Sequence, residues 1–296
     1  MKYLSVTETA KKWNLSERSV RNYCALGKIS GAFLTGKTWN IPEDAQKPDR
    51  ANKKAVLPTT LLEVLSAEKK AKLSGGIYHK VQIELTYNSN HIEGSRLTHD
   101  QTRYIFETNT IGIDGGTVKV DDIVETANHF KCIDLIIENA KRPITENFIK
   151  ELHRILKNGT TDARQDWFAV GDYKRLPNTV GDMYTTKPED VAEKVKELLF
   201  EYNTKQEKTI NDLLDFHYKF ECIHPFQDGN GRIGRLLLFK ECLKYNIVPF
   251  IIDEELKLFY YRGLKEWKSE RGYLRDTCLA AQDKFKLYLD YFKIKY

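Results

Sequence analysis

The sequence predicts a mainly α-helical protein with one inserted β-hairpin, preceded by a small basic module built as helix, turn, helix and hairpin. Three observations carry this expectation. Beyond residue 60, apolar residues recur at three- and four-residue spacing in nearly every segment, the pattern of helices that bury one face. One stretch, 171–187, breaks that pattern with turn formers and alternating residues, which suit paired strands. Residues 1–55 carry eleven Lys/Arg against five Asp/Glu, a balance of +6, whereas the whole chain carries +5. The positive excess is therefore confined to the N-terminal module and points to an anionic partner for it.

Length and composition bound the rest. A chain of 296 residues, 41% hydrophobic and 30% charged, is expected to form two domains and is not the composition of a largely disordered protein. The longest apolar stretches, 236–239 and 247–252, fall far short of the roughly 18 to 20 residues a membrane-spanning helix needs, so no membrane partner is expected. The N-terminus turns polar by Ser5 and lacks the apolar core of a signal peptide. The expectation is a cytoplasmic protein. Cys24, Cys132, Cys222, Cys242 and Cys278 are scattered singly and read as reduced, mostly buried small residues, not as disulfides or a zinc site.

In the first module, residues 1–45, Thr7 can cap a short helix through Trp13, and Asn14 and Leu15 make a turn. Ser16 then caps a second helix, 17–26, with Glu17 in its first turn and Gly27 at its stop. Residues 32–34 and 38–41 flank Thr35-Gly36-Lys37 and read as a hairpin. This order resembles the small winged helix-turn-helix domains of the MerR and excisionase type. The resemblance implies DNA binding, with Arg18, Ser19, Arg21, Asn22 and Tyr23 on the helix that enters a major groove and Lys37 on phosphate. A basic helical hairpin that docks a protein is the alternative. Residues 46–59 are polar, carry two prolines and lack periodicity, the composition of a linker.

From residue 60 to 296 the helical signal is carried by Leu61, Leu62 and Leu65, by Ile123, Ala127, Phe130, Ile133, Ile136 and Ile137, and by Phe148, Leu152, Ile155 and Leu156. Thr98 and Thr145 are suited to cap helices. The segment Asn211 to Tyr245 carries the chemistry. A helix ends near Cys222, His224 to Asp228 form a loop, and Gly229-Asn230-Gly231 opens a second helix. Such a glycine-rich turn leaves free backbone N–H groups and the positive end of a helix dipole at one spot, which favours phosphate. Arg232 and Arg235, three residues apart, share a helix face and offer planar forks of donors to phosphate oxygens. Asp228 can serve as a hard oxygen ligand for Mg2+, and His224 can accept a proton near neutral pH. These are the parts of a phosphoryl- or nucleotidyl-transfer site.

The run HPFQDGNGRIGR resembles the Fic family signature HxFx(D/E)GNGRxxR at every specified position. That resemblance implies a Fic-fold helical bundle and a Mg2+-dependent protein adenylyltransferase. His224 would deprotonate a target hydroxyl that attacks the α-phosphate of ATP, and Asp228 would hold Mg2+ across the α- and β-phosphates. Gly229, Asn230 and Gly231 would cradle the phosphates, while Arg232 and Arg235 would stabilise departing pyrophosphate. The product would be an AMP-modified Ser, Thr or Tyr on a target protein or on the chain itself. Phosphorylating members of the Doc type carry Lys where this chain has Gly231, which favours AMP transfer.

Upstream, TYNSNHIEGSRLT places Ser89 and Glu93 four residues apart on one helix face, with Gly94 at the stop. A carboxylate at a helix C-terminus opposes the dipole and is better placed opposite a cation. The stretch resembles the family's inhibitory helix, (S/T)xxxE(G/N), here near 77–94. This implies that Glu93 pairs with Arg235 and keeps the γ-phosphate from its productive position. The hairpin at 171–187 matches the family's flap, which docks a target chain by strand addition, with Val180, Gly181, Asp182 and Met183 bordering the nucleotide. Tyr260 and Tyr261 resemble a tyrosine pair near adenine and ribose, although Lys268 stands where the family often has Asn. His217 is expected to pack within its helix or support the loop, and His91 and His153 receive no role. The partners implied are ATP, a hydroxyl-bearing target protein, DNA at the N-terminal module and a second copy in a homodimer. Two other readings are a DNA-binding regulator with a nucleotide-sensing Fic core and a de-AMPylase in which Glu93 positions water.

Overall fold

A capping box decides where the chain first turns helical. In the computed structural model, Ser5 accepts from the Glu8 N–H and Glu8 returns the bond to the Ser5 N–H, starting α1 at Val6–Trp13. The cap is thus Ser5 and not Thr7, because only Ser5 has a glutamate three residues on. Thr7 lies inside the helix and donates to Glu17 instead. Residues 2–48, 59–113, 116–181 and 183–296 are described by the structure, which divides into two units, Met1–Leu57 and Pro58–Tyr296. Most of the expected linker lies outside the described residues.

In the first unit, Asn14 takes a left-handed conformation that ends α1, and Ser16 caps α2, Glu17–Ala25. The expected hairpin is present as β2, Phe33–Thr35, and β3, Thr38–Pro42, closed by Gly36-Lys37 between paired Thr35 and Thr38. The sequence reading missed β1, Tyr3–Leu4, which pairs antiparallel with β3 to give the order β1-β3-β2. Two residues are too few to show a period. Val6, Ala10, Trp13, Val20, Cys24, Ile29 and Ile41 close the small core.

The second unit is helical apart from one short hairpin. Its helices are α3 (Leu61–Ala71), α4 (Ile77–Ile92), α5 (His99–Thr108), α6 (Val120–Asn139), α7 (Glu146–Lys157), α8 (Val191–Thr204), α9 (Ile210–Ile223), α10 (Asn230–Tyr245), α11 (Glu254–Lys265) and α12 (Gly272–Tyr291). Thr98 and Thr145 cap α5 and α7 as expected. The hairpin, β4 (Thr179–Val180) and β5 (Met183–Tyr184), falls within the stretch that broke the helical pattern. Helix α10 is buried from Arg232 through Leu243, so it forms the axis of the unit. Cys132, Ile133 and Ile136 of α6, Ile149, Leu152 and Leu156 of α7, and Phe216 and Phe220 of α9 belong to the same core as Ile233, Leu236 and Leu237 of α10. That core fixes where α10 begins. Cys24, Cys132, Cys242 and Cys278 are buried free thiols, whereas Cys222 is exposed. Among the described residues, no helix is long and apolar enough to cross a membrane.

Candidate active site

The loop between α9 and α10 is built on two left-handed residues. His224 ends α9 at φ 50°, and its N–H still bonds Phe220 O at 2.9 Å. Gly229 begins α10 at φ 83°, a conformation that costs a Cβ-bearing residue about 1 kcal/mol or more. Between them, Phe226 is fully buried and stacks on His153 of α7, with ring centroids 4.0 Å apart and planes inclined by 5°. Asn230 braces the loop from inside. Its Oδ1 accepts from the Phe226 N–H at 2.8 Å and its Nδ2 donates to Phe226 O at 2.8 Å. The expectation that the Asn230 side chain cradles phosphate is therefore not what this geometry offers. Its amide is committed to the loop, which leaves the backbone N–H groups at the start of α10 as the anion donors.

Charge is arranged around that helix mouth in two clusters. In the first, Asp228 Oδ2 accepts from Lys157 Nζ at 2.7 Å and from Arg232 Nη2 at 3.0 Å. Lys157 also bonds Glu125 Oε1 at 2.5 Å, and Arg232 Nη1 bonds Glu125 Oε2. Burial alone would raise the Asp228 carboxyl, but Arg232 and Lys157 outweigh it and hold the group far below the usual carboxylate range. Asp228 is ionised at any neutral pH. In the second cluster, Arg235 donates from Nε to Ser89 Oγ at 3.0 Å, and from Nη2 to Ser89 O at 2.9 Å and Glu93 Oε1 at 2.7 Å. A Cβ at Gly231 would collide with Glu93 Oε1. The Glu93 carboxylate thus lies directly over the first turn of α10. Arg232 and Arg235 leave one face of the helix toward different partners, and both are buried.

His224 is half-buried, and its Nδ1 faces Asn178 Nδ2 at 3.0 Å and Asn230 Nδ2 at 3.2 Å. Burial, and after it the Lys174 ammonium, pull the imidazole down to about 4. The ring is neutral near pH 7, the protonation state a general base needs.

Residues 143–241 match the model of the Fic/DOC family. The chain carries a Fic domain. A protein adenylyltransferase Fic from Drosophila grimshawi is 31% identical over 183 residues, 60% of this chain and 36% of that protein. The chain thus spans less than half the length of that curated relative. A Fic domain containing signaling protein from Bacteroides thetaiotaomicron superimposes with a TM-score of 0.58 at 28% identity, covering 78% of this chain and 90% of that one. A Fic family protein from Desulfovibrio desulfuricans gives a TM-score of 0.61 at 21% identity over 79% of this chain and 73% of that one, a likeness of fold alone.

The matched range holds His224, Asp228 and the start of α10. Ser89, Glu93 and Glu125 lie ahead of it and reach the Fic domain's signature through tertiary packing. Glu93 closes α4, and Gly94 follows at φ 95°. Val180 is exposed at the hairpin turn beside Gly181, and Met183 pairs with Val180 through the backbone. Asp182 lies outside the described residues. The tyrosine pair divides. Tyr260 is fully buried and bonds His217 Nε2 at 2.6 Å, so it packs α11 against α9, whereas Tyr261 stays 39% exposed. Tyr260 is thus placed as a core residue between α11 and α9.

Sequence reasoning missed Glu125, His153, Lys157, Lys174 and Asn178. His153 stacks under Phe226 and accepts from the Gly171 N–H at 2.9 Å. The available signal was a His153–Lys157 pair beside the apolar stripe of α7, one helical turn apart.

Among the described residues, no group of three or more His, Cys, Asp and Glu side chains could hold a metal ion. Asp228 nevertheless fits Mg2+: it is ionised, and its side chain is 47% exposed. Mg2+ commonly takes one or two carboxylates and draws its remaining ligands from phosphates and water.

Four histidines, His129, His153 and His217 buried and His224 half-buried, should make the fold sensitive to acid. Burial holds His129, His153 and His217 down to about 3 each, and His224 to about 4. Their folded values lie below the ordinary 6.5, so their contribution is complete above about pH 6.5 and is lost as pH falls toward 3 to 4. Each should remove roughly 1.4 kcal/mol of stability per pH unit inside that window. Urea midpoints at about pH 7 and about pH 5 check this, and equal midpoints would contradict it.

Proposed function

We propose that this protein transfers AMP from ATP to a Ser, Thr or Tyr hydroxyl of a target protein, its own chain included, and that Glu93 restrains the reaction. The reading is supported above all by His224, an ionised Asp228 and the first-turn N–H groups of α10 lying together within residues 224–232. In the proposed step His224 takes the hydroxyl proton. A bond forms between the hydroxyl oxygen and the α-phosphorus, the bond from that phosphorus to the bridging oxygen breaks, and pyrophosphate departs. The α10 N-terminus and Arg235 would bind the leaving phosphates. Mg2+ held by Asp228 would neutralise phosphate charge. Arg232, tied to Glu125 and Asp228, would orient the carboxylate more than it meets substrate.

Support for restraint comes from the Glu93–Arg235 pair. The carboxylate occupies the place over Gly231 where an anion would profit from α10, and it engages an arginine that a phosphate would otherwise use. The test incubates the full chain and its Glu93→Gly variant with ATP labelled at the α-phosphate and Mg2+, alone and with lysate proteins. Label on the chain or a target supports the reading. No label on any protein, with ATP bound by both forms, removes it. Loss of AMP from a modified target would instead indicate de-AMPylation.

A second reading concerns the first unit and rests on its exposed cations. Arg18, Asn22 and Lys37 are exposed, Ser19 and Tyr23 half-buried, and Arg21 is exposed but tied to Glu17 at 3.1 Å. We propose that α2 and the β2–β3 turn contact DNA. Specific binding should survive moderate salt in gel-shift titrations, whereas general phosphate attraction collapses.

A further inference from the structure

The proton inventory of His224 is fixed by two asparagines whose own orientations are not free. An asparagine amide can be turned over at little steric cost, and only its neighbours say which end faces a given atom. Asn230 is determined by the backbone: the Phe226 N–H requires its oxygen on one side, and Phe226 O requires its NH2 on the other. Asn178, the residue before β4, is determined by different groups. Its Oδ1 accepts from Lys174 Nζ at 2.8 Å and Thr185 Oγ1 at 2.6 Å, and its Nδ2 donates to Phe226 O at 3.1 Å. Turning it over would set an NH2 against the ammonium of Lys174 and an oxygen against a carbonyl.

Lys174 is itself pinned. It is 3% exposed, its N–H bonds Pro225 O at 2.9 Å, and its ammonium also approaches Ile223 O at 3.4 Å. Both NH2 groups therefore point at His224 Nδ1. A nitrogen that faces two donors must present its lone pair.

We propose that Asn178, held by Lys174, is a positioning residue which together with Asn230 fixes neutral His224 as the tautomer carrying its proton on Nε2. Both asparagines engage Nδ1, which leaves Nε2 as the ring nitrogen to meet a hydroxyl, and Nε2 gains its lone pair only when an acceptor replaces these donors at Nδ1. The proposal rests on the reading of His224 as the base and adds a second restraint to it, independent of Glu93. Asn230 is locked in the first turn of α10. Asn178 belongs to the segment leading into the hairpin, so it is the member a docking target chain could displace.

The test labels histidine with 15N in the full chain and reads the two ring nitrogens by two-bond proton–nitrogen correlation, with His224→Gln identifying the signal. The spectra are taken at about pH 6.5, between the values near 4 for His224 and near 8 for Lys174, so that the ring is neutral and the lysine charged. The wild-type ring should carry its proton on Nε2. Asn178→Asp, which places an acceptor at Nδ1, should move the proton there. Asn178→Leu should keep it on Nε2 while shifting the Nδ1 resonance as one donor is lost. A wild-type ring with its proton on Nδ1 overturns the proposal, as does an unchanged ring in Asn178→Asp.

Rates are read separately in the Glu93→Gly background, where Asn178→Asp should raise kcat at least roughly threefold with KM for ATP little changed. If the proton moves as stated but the rate does not respond, the tautomer control stands and the second restraint fails, whereas loss of the base assignment itself is read from His224→Ala.

Discussion

Replacing His224 by alanine is expected to lower the rate of AMP transfer by roughly 10^2- to 10^4-fold, the usual worth of a positioned general base. The loss should fall on kcat, because the phosphate-binding elements remain: α10 starts at Asn230, and its first turn is set by Phe226, His153 and Asn230, not by the imidazole. ATP affinity, measured calorimetrically, should change little. Unchanged turnover in His224→Ala would take the residue out of the mechanism whatever its position. The pH profile sharpens the point. With the imidazole pulled down to about 4, the basic form is complete near neutral pH, and activity should fall only as pH drops through about 4 to 5.

Glu93→Gly is expected to raise AMP transfer at least roughly tenfold and to lower thermal stability. Both effects have one cause. The carboxylate neutralises Arg235, which is 6% exposed, at a distance of 2.7 Å. Unit charges about 4 Å apart at an effective dielectric near 20 interact by about 4 kcal/mol, so a carboxylate over the α10 mouth strongly disfavours a phosphate there. Removing it opens the anion site and leaves a buried guanidinium short of its counter-charge. Glu93 is 30% exposed, which reduces the usual 3 to 5 kcal/mol penalty for breaking a buried pair to about 1 to 3 kcal/mol. ATP should therefore raise the melting temperature of the variant more than that of the wild type. Equal ATP-induced shifts and equal labelling would show that Glu93 restrains nothing.

The two predictions draw on residues of different legibility. His224 and Asp228 could be chosen from sequence because loop, glycines and arginines sit within one dozen residues, where spacing translates into position on a helix. The Glu93–Arg235 contact spans 142 residues and was reached through a resemblance. Nothing in the local pattern gives its distance. Lys157 and Glu125 were passed over for a related reason. Each looks like an ordinary charge on an amphipathic helix, yet in the structure the two pair with each other, Lys157 also with Asp228 and Glu125 also with Arg232. Tyr260 misled in the opposite sense. Adjacent tyrosines on one helix point about 100° apart, so one of the pair enters the core against His217 while the other remains partly open.

Local chemistry in the sequence determined the helical class of the second unit, the hairpin that interrupts it, the caps at Ser16, Thr98 and Thr145, and the glycine that opens α10. Each depends on neighbours within a few residues, whose backbone and side-chain preferences act at that range. Tertiary structure alone decided the pairing of β1 with β3, the committed amide of Asn230, and the partners that hold Asp228, Arg235 and His224. Those contacts join segments far apart in the chain, and a buried charge or amide takes whichever partner the packed core brings within hydrogen-bond reach.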